Sequence, residues 1–349
     1  MGLQRPAADH SEKADRLMIK AAVVGLGWWG KTIVRQLASS RTIKLVRTVD
    51  VDPNAAEWAR ERKLAVSTCY ADALTDPTVD AVILCTPHAQ HCDQVLQAVA
   101  AGKHIFCEKP LTLTQRDAVT CVEACQRAGL VLGIGHERRF EPPILELRRL
   151  FDSGELGTPL QIEANFSQDK FLSLPADNWR LSAENAPAGP MTATGIHLID
   201  LAVSILGPPR RAVAHVGQLG SQLSNGDTLG ALVGFANGSN ALISAMLATP
   251  FVGRFALYCN RGWVEVVDKA HPEASEGWTL TKCLRGSKAE RREYPPAAAV
   301  LANLDAFGDA VAGRMPYPVT PAELVGTIAA LEAIVTSARN GGTVESVPA

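Results

Sequence analysis

Through roughly the first 137 residues, apolar positions fall in short continuous runs separated by amphipathic stretches of helical spacing. Ile19 to Val24, Lys44 to Val49, Val79 to Cys85, Lys103 to Cys107 and Val131 to Gly135 read as strands. Asn54 to Arg62, with Asn54 placed to cap it, His91 to Ala101 and Thr112 to Ala128 read as helices between them. The run Val79-Asp-Ala-Val-Ile-Leu-Cys85 suits a strand buried on both faces. Such strand-helix repetition predicts an α/β domain with a doubly wound parallel sheet.

After residue 137 the pattern changes. Ile144 to Ser153 is helical, and then strands follow one another with few helices between: Pro159 to Ser167, Arg211 to Gly217, Thr228 to Phe235, Ser239 to Leu247, Phe255 to Cys259 and Gly262 to Val267. Asn237-Gly238 between two of them is a hairpin signal. Gly195 to Leu206 is an apolar helix, and Val319 to Arg339 a closing one, with Thr320-Pro321 fitting its cap and first position and Asn340-Gly341-Gly342 ending it. The second half therefore predicts an α+β domain. Three parts result: a flexible leader over 1–17, a dinucleotide-binding domain over 18–137, and a substrate-binding and oligomerisation domain over 138–349. A length of 349 residues agrees with two domains.

Composition adds mainly exclusions. Apolar residues make up 47% and charged residues 20%, with a net charge of −2, so nothing favours nucleic acid or an anionic membrane as partner. Residues 1–17 lack the apolar core of a secretory signal, and no apolar run approaches a membrane span. The eight cysteines include no C-x-x-C pair; they read as free thiols of a cytoplasmic protein, and no metal-ligand set is expected.

The chemistry begins at Gly25-Leu-Gly27-Trp28-Trp29-Gly30, which follows a strand and opens a helix, with Asp50 twenty residues past the last glycine. In that order Gly25 permits a tight turn, Gly27 lets backbone approach a pyrophosphate and Gly30 lets helix lie on strand, while free helix N–H groups meet the phosphates. Asp50 suits the ribose hydroxyls of NAD and repels the extra phosphate of NADP, leaving Arg47 as an open question nearby. Ligands in such sheets lie beyond the carboxyl ends of the strands, so Cys85, Thr86, Pro87 and His88 should border the nucleotide. His91 reads either as a cofactor neighbour or as a capping residue. Glu108-Lys109-Pro110 ends another strand on the same side; there Glu108 and Lys109 read equally as a solvated ion pair or as site residues.

Taken with Asp80 to Pro87, Gly102 to Pro110, Gly135-His-Glu-Arg-Arg139-Phe140 and Gly195-Ile-His197-Leu-Ile-Asp200, this loop resembles the Gfo/Idh/MocA family of NAD(P)-dependent oxidoreductases, the glucose-fructose oxidoreductase and inositol dehydrogenase group. The resemblance implies a large open, mostly antiparallel second sheet used for homodimer or homotetramer formation, and sugars, cyclitols or related polyols as substrates. It makes Lys109 the lysine that hydrogen-bonds the reacting hydroxyl and His197 the acid/base that takes its proton, work suited to an imidazole. Otherwise His197 reads as a core histidine one turn from Asp200.

The loop Gln168 to Arg180 mixes charge, an aromatic and an amide. Asp169, Lys170, Trp179 and Arg180 in it, together with Arg139 and Thr194, form the expected substrate set; Trp179-Arg180 resembles a Trp-Arg pair that precedes the histidine helix in relatives. One position departs from the family. Many members carry an aspartate four residues before the histidine, where this chain has Ala193, so that Asp169 is the candidate to reach in instead. Three functions are compatible with these residues: an NAD-dependent dehydrogenase of a sugar, cyclitol or cyclic dihydrodiol; a glycosidase that uses transient oxidation; and a non-catalytic NAD(P)-sensing regulator.

Overall fold

Two sheets divide the chain, and the crevice between them is set by where their strands end. The structure is a computed structural model describing residues 18–347, so the leader over 1–17 lies outside the described residues. The first sheet has six parallel strands in the order β3-β2-β1-β4-β5-β6. They are β1 (Ile19–Val24), β2 (Ile43–Val49), β3 (Val66–Ser67), β4 (Ala81–Leu84), β5 (His104–Cys107) and β6 (Leu132–Ile134). Between them run α1 (Trp28–Leu37), α2 (Pro53–Glu61), α3 (Tyr70–Thr75), α4 (His91–Ala100) and α5 (Gln115–Ala128). Every residue of β4 is buried, as a central strand covered on both faces must be.

Two helix starts differ from expectation. Asp52, not Asn54, caps α2, accepting the Asn54 N–H; Pro53 has no N–H to give and a φ already helical, so it takes the first position and the cap falls just before it. Helix α5 begins after Thr114, whose hydroxyl accepts from Asp117 N, while the Thr112 hydroxyl is spent on the Thr114 carbonyl in the approach.

Helix α6 (Pro142–Asp152) leads into the second sheet, whose nine strands lie in the order β14-β13-β12-β11-β7-β10-β9-β8-β15. Its members are β7 (Pro159–Ser167), β8 (Pro209–Gly217), β9 (Thr228–Phe235), β10 (Asn240–Met246), β11 (Val252–Cys259), β12 (Gly262–Asp268), β13 (Trp278–Leu284), β14 (Glu290–Tyr294) and β15 (Glu345–Ser346). All neighbours are antiparallel except β7 and β10. Helices α7 (Ile196–Leu206) and α9 (Pro321–Arg339) cover one face, with buried side chains alternating along the strands beneath them. Helix α9 starts on a full capping box between Thr320 and Glu323 and, although long and apolar, is largely buried inside the protein.

Helix α8 (Ala299–Val311) was not expected, and it corrects the division at 137/138. Its Leu304 and Phe307 are fully buried among Ile19, Val23, Ile33 and Phe106, so this stretch of the second half belongs to the core of the first domain. Strands β13 and β14 were also unforeseen. Strand β14 is exposed at every position but Tyr294, and so lacks the apolar alternation that marks a strand.

Candidate functional site

The glycine loop leaves β1 and enters α1. Gly25 has φ +89°, and a Cβ there would lie 2.8 Å from the Cys85 carbonyl oxygen; a Cβ on Gly30 would collide with the Gly25 carbonyl. These two glycines are required by the protein itself. Gly27 is different, because nothing lies within 4 Å of where its Cβ would sit. That open space faces the start of α1, where no side chain caps the N–H groups, so the chain holds a cradle of the kind a pyrophosphate fills. Asp50 serves this loop directly: its carboxylate accepts the Leu26 N–H, and also the Asp52 N–H at 2.8 Å. Arg47 is committed to Asp76 at 2.9 Å, which removes the nearest strand cation from any 2′-phosphate.

A cavity of about 430 Å³ opens between the two sheets. The first domain contributes Trp28, Trp29, Cys85, Thr86, His88, Glu108 and Lys109 to its lining, and the second contributes Thr194 and His197. Lys109 opens the strand-to-helix passage after β5, and its Nζ donates to the Ala193 carbonyl at 2.6 Å. Residues 191–195 form a single π turn that runs into α7, so Ala193 lies one turn before His197 and ties the lysine to the histidine helix. Burial drives the Lys109 pKa down and that of the Glu108 carboxyl up. His197 is pushed well below its ordinary value by burial and by the Lys109 charge. Its Nδ1 is buried without a hydrogen-bond partner, 3.8 Å from the Glu137 carboxylate, which leaves Nε2 as the nitrogen for the cavity.

The loop over 168–190 closes one side. Trp179 and Arg180 line the cavity, the guanidinium stacking 4.3 Å from the Trp179 ring and 5.8 Å from that of Trp28. His88 joins this loop to the nucleotide side through the Asn185 carbonyl at 3.1 Å and an edge contact with Trp179. From behind, Asn225 donates to the carbonyls of Arg180 and Ala186. Thr194 is buried, its hydroxyl donating to the Pro190 carbonyl.

Four expected site residues do not line the cavity. Asp169 is exposed and does not line the cavity, so it does not stand in for the carboxylate missing at Ala193. Lys170 is exposed as well and is not in the lining itself, but it sits at the rim, paired with two lining residues, Glu273 at 2.9 Å and His271 at 3.1 Å. His91 is fully buried beneath the site, each ring nitrogen against a backbone carbonyl, those of Pro110 and Thr86; it fixes the turn instead of facing a cofactor. Arg139 is bound by both oxygens of Asp200 at 2.6 and 2.7 Å and lies 3.2 Å from Glu323, so it ties α7 to α9 and has no reach into the cavity.

Several lining residues escaped the sequence reading. Glu137 and Glu141 bracket the short 3-10 turn 137–140, and both face the cavity. Burial pushes the Glu141 carboxyl up to about 8 against the pull of Arg138, which also binds Asp268 at 2.8 Å. Gln168 and His271 pair at 2.6 Å, and Phe166, Phe171 and Trp278 supply aromatic walls. The acidic pair was visible as Glu-Arg-Arg-Phe-Glu, but spacing alone does not say which of its charges turn inward.

A parallel-sheet domain with an open glycine cradle, facing a mostly antiparallel sheet whose covering helix carries a buried histidine, defines a two-domain dinucleotide-binding protein. The oxidoreductase family with the NAD-binding Rossmann fold matches residues 19–136, and the GFO/IDH/MocA C-terminal domain matches residues 144–265. The chain belongs to the Gfo/Idh/MocA family. The NAD-dependent scyllo-inositol 2-dehydrogenase of Bacillus subtilis is 32% identical over 58% of this chain and 58% of its own length. The 1,5-anhydro-D-fructose reductase of Ensifer adhaerens is 29% identical over 83% of this chain and 87% of its own. GenD2 of gentamicin A biosynthesis, solved with NAD, superposes with a TM-score of 0.81 at 25% identity, covering 95% of this chain and 97% of that one. The first curated relatives are matched over 45 to 66% of their length.

Proposed function

We propose that the protein is an NAD-dependent dehydrogenase that interconverts a secondary alcohol and a ketone on a sugar, cyclitol or related cyclic polyol. One observation carries the reading: Lys109 and His197 line one cavity, and the Lys109 amine rests on the carbonyl one turn before His197. Bound in the Gly27 cradle, NAD supplies the acceptor for the two electrons and hydrogen that leave the carbinol carbon. Lys109 donates to the substrate oxygen and holds it against the histidine ring. His197, neutral because burial opposes its charge, takes the hydroxyl proton on Nε2. Thr192 and Thr194 spend their hydroxyl hydrogens on the Gly189 and Pro190 carbonyls, so each oxygen retains acceptor capacity for substrate hydroxyls. Phe166, Phe171 and Trp179 offer flat apolar faces for a sugar ring. Arg47, engaged by Asp76, and Asp50 favour NAD over NADP.

The uncovered face of the second sheet supports a homo-oligomer. Leu232 and Leu242 pair directly across β9 and β10 and are exposed, with Val252 and Val267 further along. The test of function is a panel of inositols, aldoses, anhydrosugars, glycosides and dihydrodiols, each with NAD and with NADP separately. NADH formation with at least one cyclic polyol is expected. Glycoside cleavage with no net cofactor change would favour transient oxidation, and NAD binding with no turnover on any of them would favour a regulator.

A further inference from the structure

Between Lys109 and His197 the second wall offers no side-chain charge from the histidine helix itself. Ala193, one turn before His197, presents only its carbonyl, and that oxygen is taken by the Lys109 ammonium. An imidazole that accepts a proton on Nε2 becomes a cation, and inside a buried cavity a cation without a counter-charge is costly. The groups that press on His197 are of the wrong sign or neutral: Lys109, Arg138, His136 and His271 all disfavour its protonation. The His136 ring meets it edge-on at 5.7 Å, and His136 Nε2 is turned to Asp200 at 3.6 Å, so Asp200 is occupied by His136 and Arg139.

One carboxylate remains within reach. Glu137 opens the 3-10 turn after β6, and its Oε2 lies 3.8 Å from His197 Nδ1. That Nδ1 is among the few buried polar atoms of the described residues with no partner. Among the acids that act on Lys109, Glu137 exerts the largest pull. We propose that Glu137 is the positioning residue of this site: its carboxylate accepts a hydrogen bond from Nδ1–H of His197 and lies against the positive charge that the ring gains, from a different element than the aspartate absent at Ala193. A closure of less than about 1 Å turns the 3.8 Å separation into a charge-assisted hydrogen bond. With Nδ1–H so held, Nε2 keeps its lone pair toward the substrate hydroxyl. When the hydroxyl proton arrives on Nε2, both ring nitrogens carry hydrogen, and the positive charge rests against the Glu137 carboxylate.

The role rests on the dehydrogenase reading, yet it has a readout that needs no turnover. In nitrogen-15 histidine spectra of the NAD-loaded full chain at neutral pH, with His197 assigned by a His197→Asn variant, the ring is expected in the Nδ1–H tautomer. In Glu137→Ala it is expected to revert toward the Nε2–H form that free imidazole prefers. The same tautomer in both proteins overturns the proposal, whatever the protein catalyses. On a substrate found with the panel, Glu137→Gln is expected to lower kcat about 100-fold with KM changed only a few-fold, and to move the acid limb of the kcat profile to lower pH. Adding Ala193→Asp to that variant is expected to restore at least about a tenth of the rate. Wild-type kcat and an unmoved limb in Glu137→Gln would sink the role of Glu137 while leaving the dehydrogenase standing; a panel without turnover, with the tautomer changing as expected, would sink the dehydrogenase alone.

Discussion

The two walls of the crevice are made by different physics. The nucleotide wall is a matter of space: two glycines whose absent side chains let backbone touch backbone, a third that leaves a hollow, and a helix end with free N–H groups. The opposite wall is a matter of charge. Lys109, Glu137, His197 and, behind them, Arg139 with Asp200 are taken out of water and held by one another. Shape of the first kind is written in a few consecutive residues, whereas balance of the second kind depends on groups from three separate elements. Binding and chemistry should therefore fail independently.

The largest expected effect breaks the walls apart. Lys109→Ala should lower kcat by about 1,000-fold while NAD affinity changes no more than a few-fold, read by steady-state rates and by quenching of tryptophan fluorescence. A parallel loss of affinity would mean that the lysine belongs to the nucleotide wall. Next comes the charge frame. Asp200→Asn removes the buried carboxylate that Arg139, itself largely covered, grips bidentately, and should cost about 3 kcal/mol in urea unfolding, far more than the change at any exposed ion pair such as Arg60 with Glu57.

The smallest effect sharpens the contrast through pH. Asp227 is fully buried; burial raises its pKa, but the N–H groups of Leu219 and Gly220 and the hydroxyls of Ser221 and Thr228 outweigh that and bring it from 3.8 to about 2. A carboxyl whose folded pKa is depressed stabilises the fold above its unfolded pKa, and that contribution fades as pH falls toward the folded value. Asp227→Asn should then cost about 1–2 kcal/mol at neutral pH, and its deficit should shrink below about pH 4. A deficit independent of pH would assign the loss to packing.

The same contrast explains what the sequence disclosed. The glycine loop, the strand ends at Cys85 and Glu108, and the capped start of α9 are local and were readable. Helix α8 was not, because it begins at Ala298 without a capping side chain, and its buried face answers to strands far away in the chain. Arg139 looked like a substrate ligand because an arginine in a motif carries no sign of its partner; Asp200 is 61 residues distant. Asp169 was sought for the gap at Ala193 for want of knowing that the turn after β6 brings Glu137 within 3.8 Å of His197. Short-range rules locate backbone, and only the folded chain pairs its charges.

Helix α9 packs at once on α5 of the first domain and on β8 and α7 of the second, while α8 carries the chain back to the first core. The jaws are thus clamped at their hinge side by more than a single tether. Wide rocking would tear apolar contacts from a 19-residue helix, so traffic in and out has to pass a doorway of small parts: Trp28, half exposed at the rim, and the Trp179-Arg180 segment stacked on it.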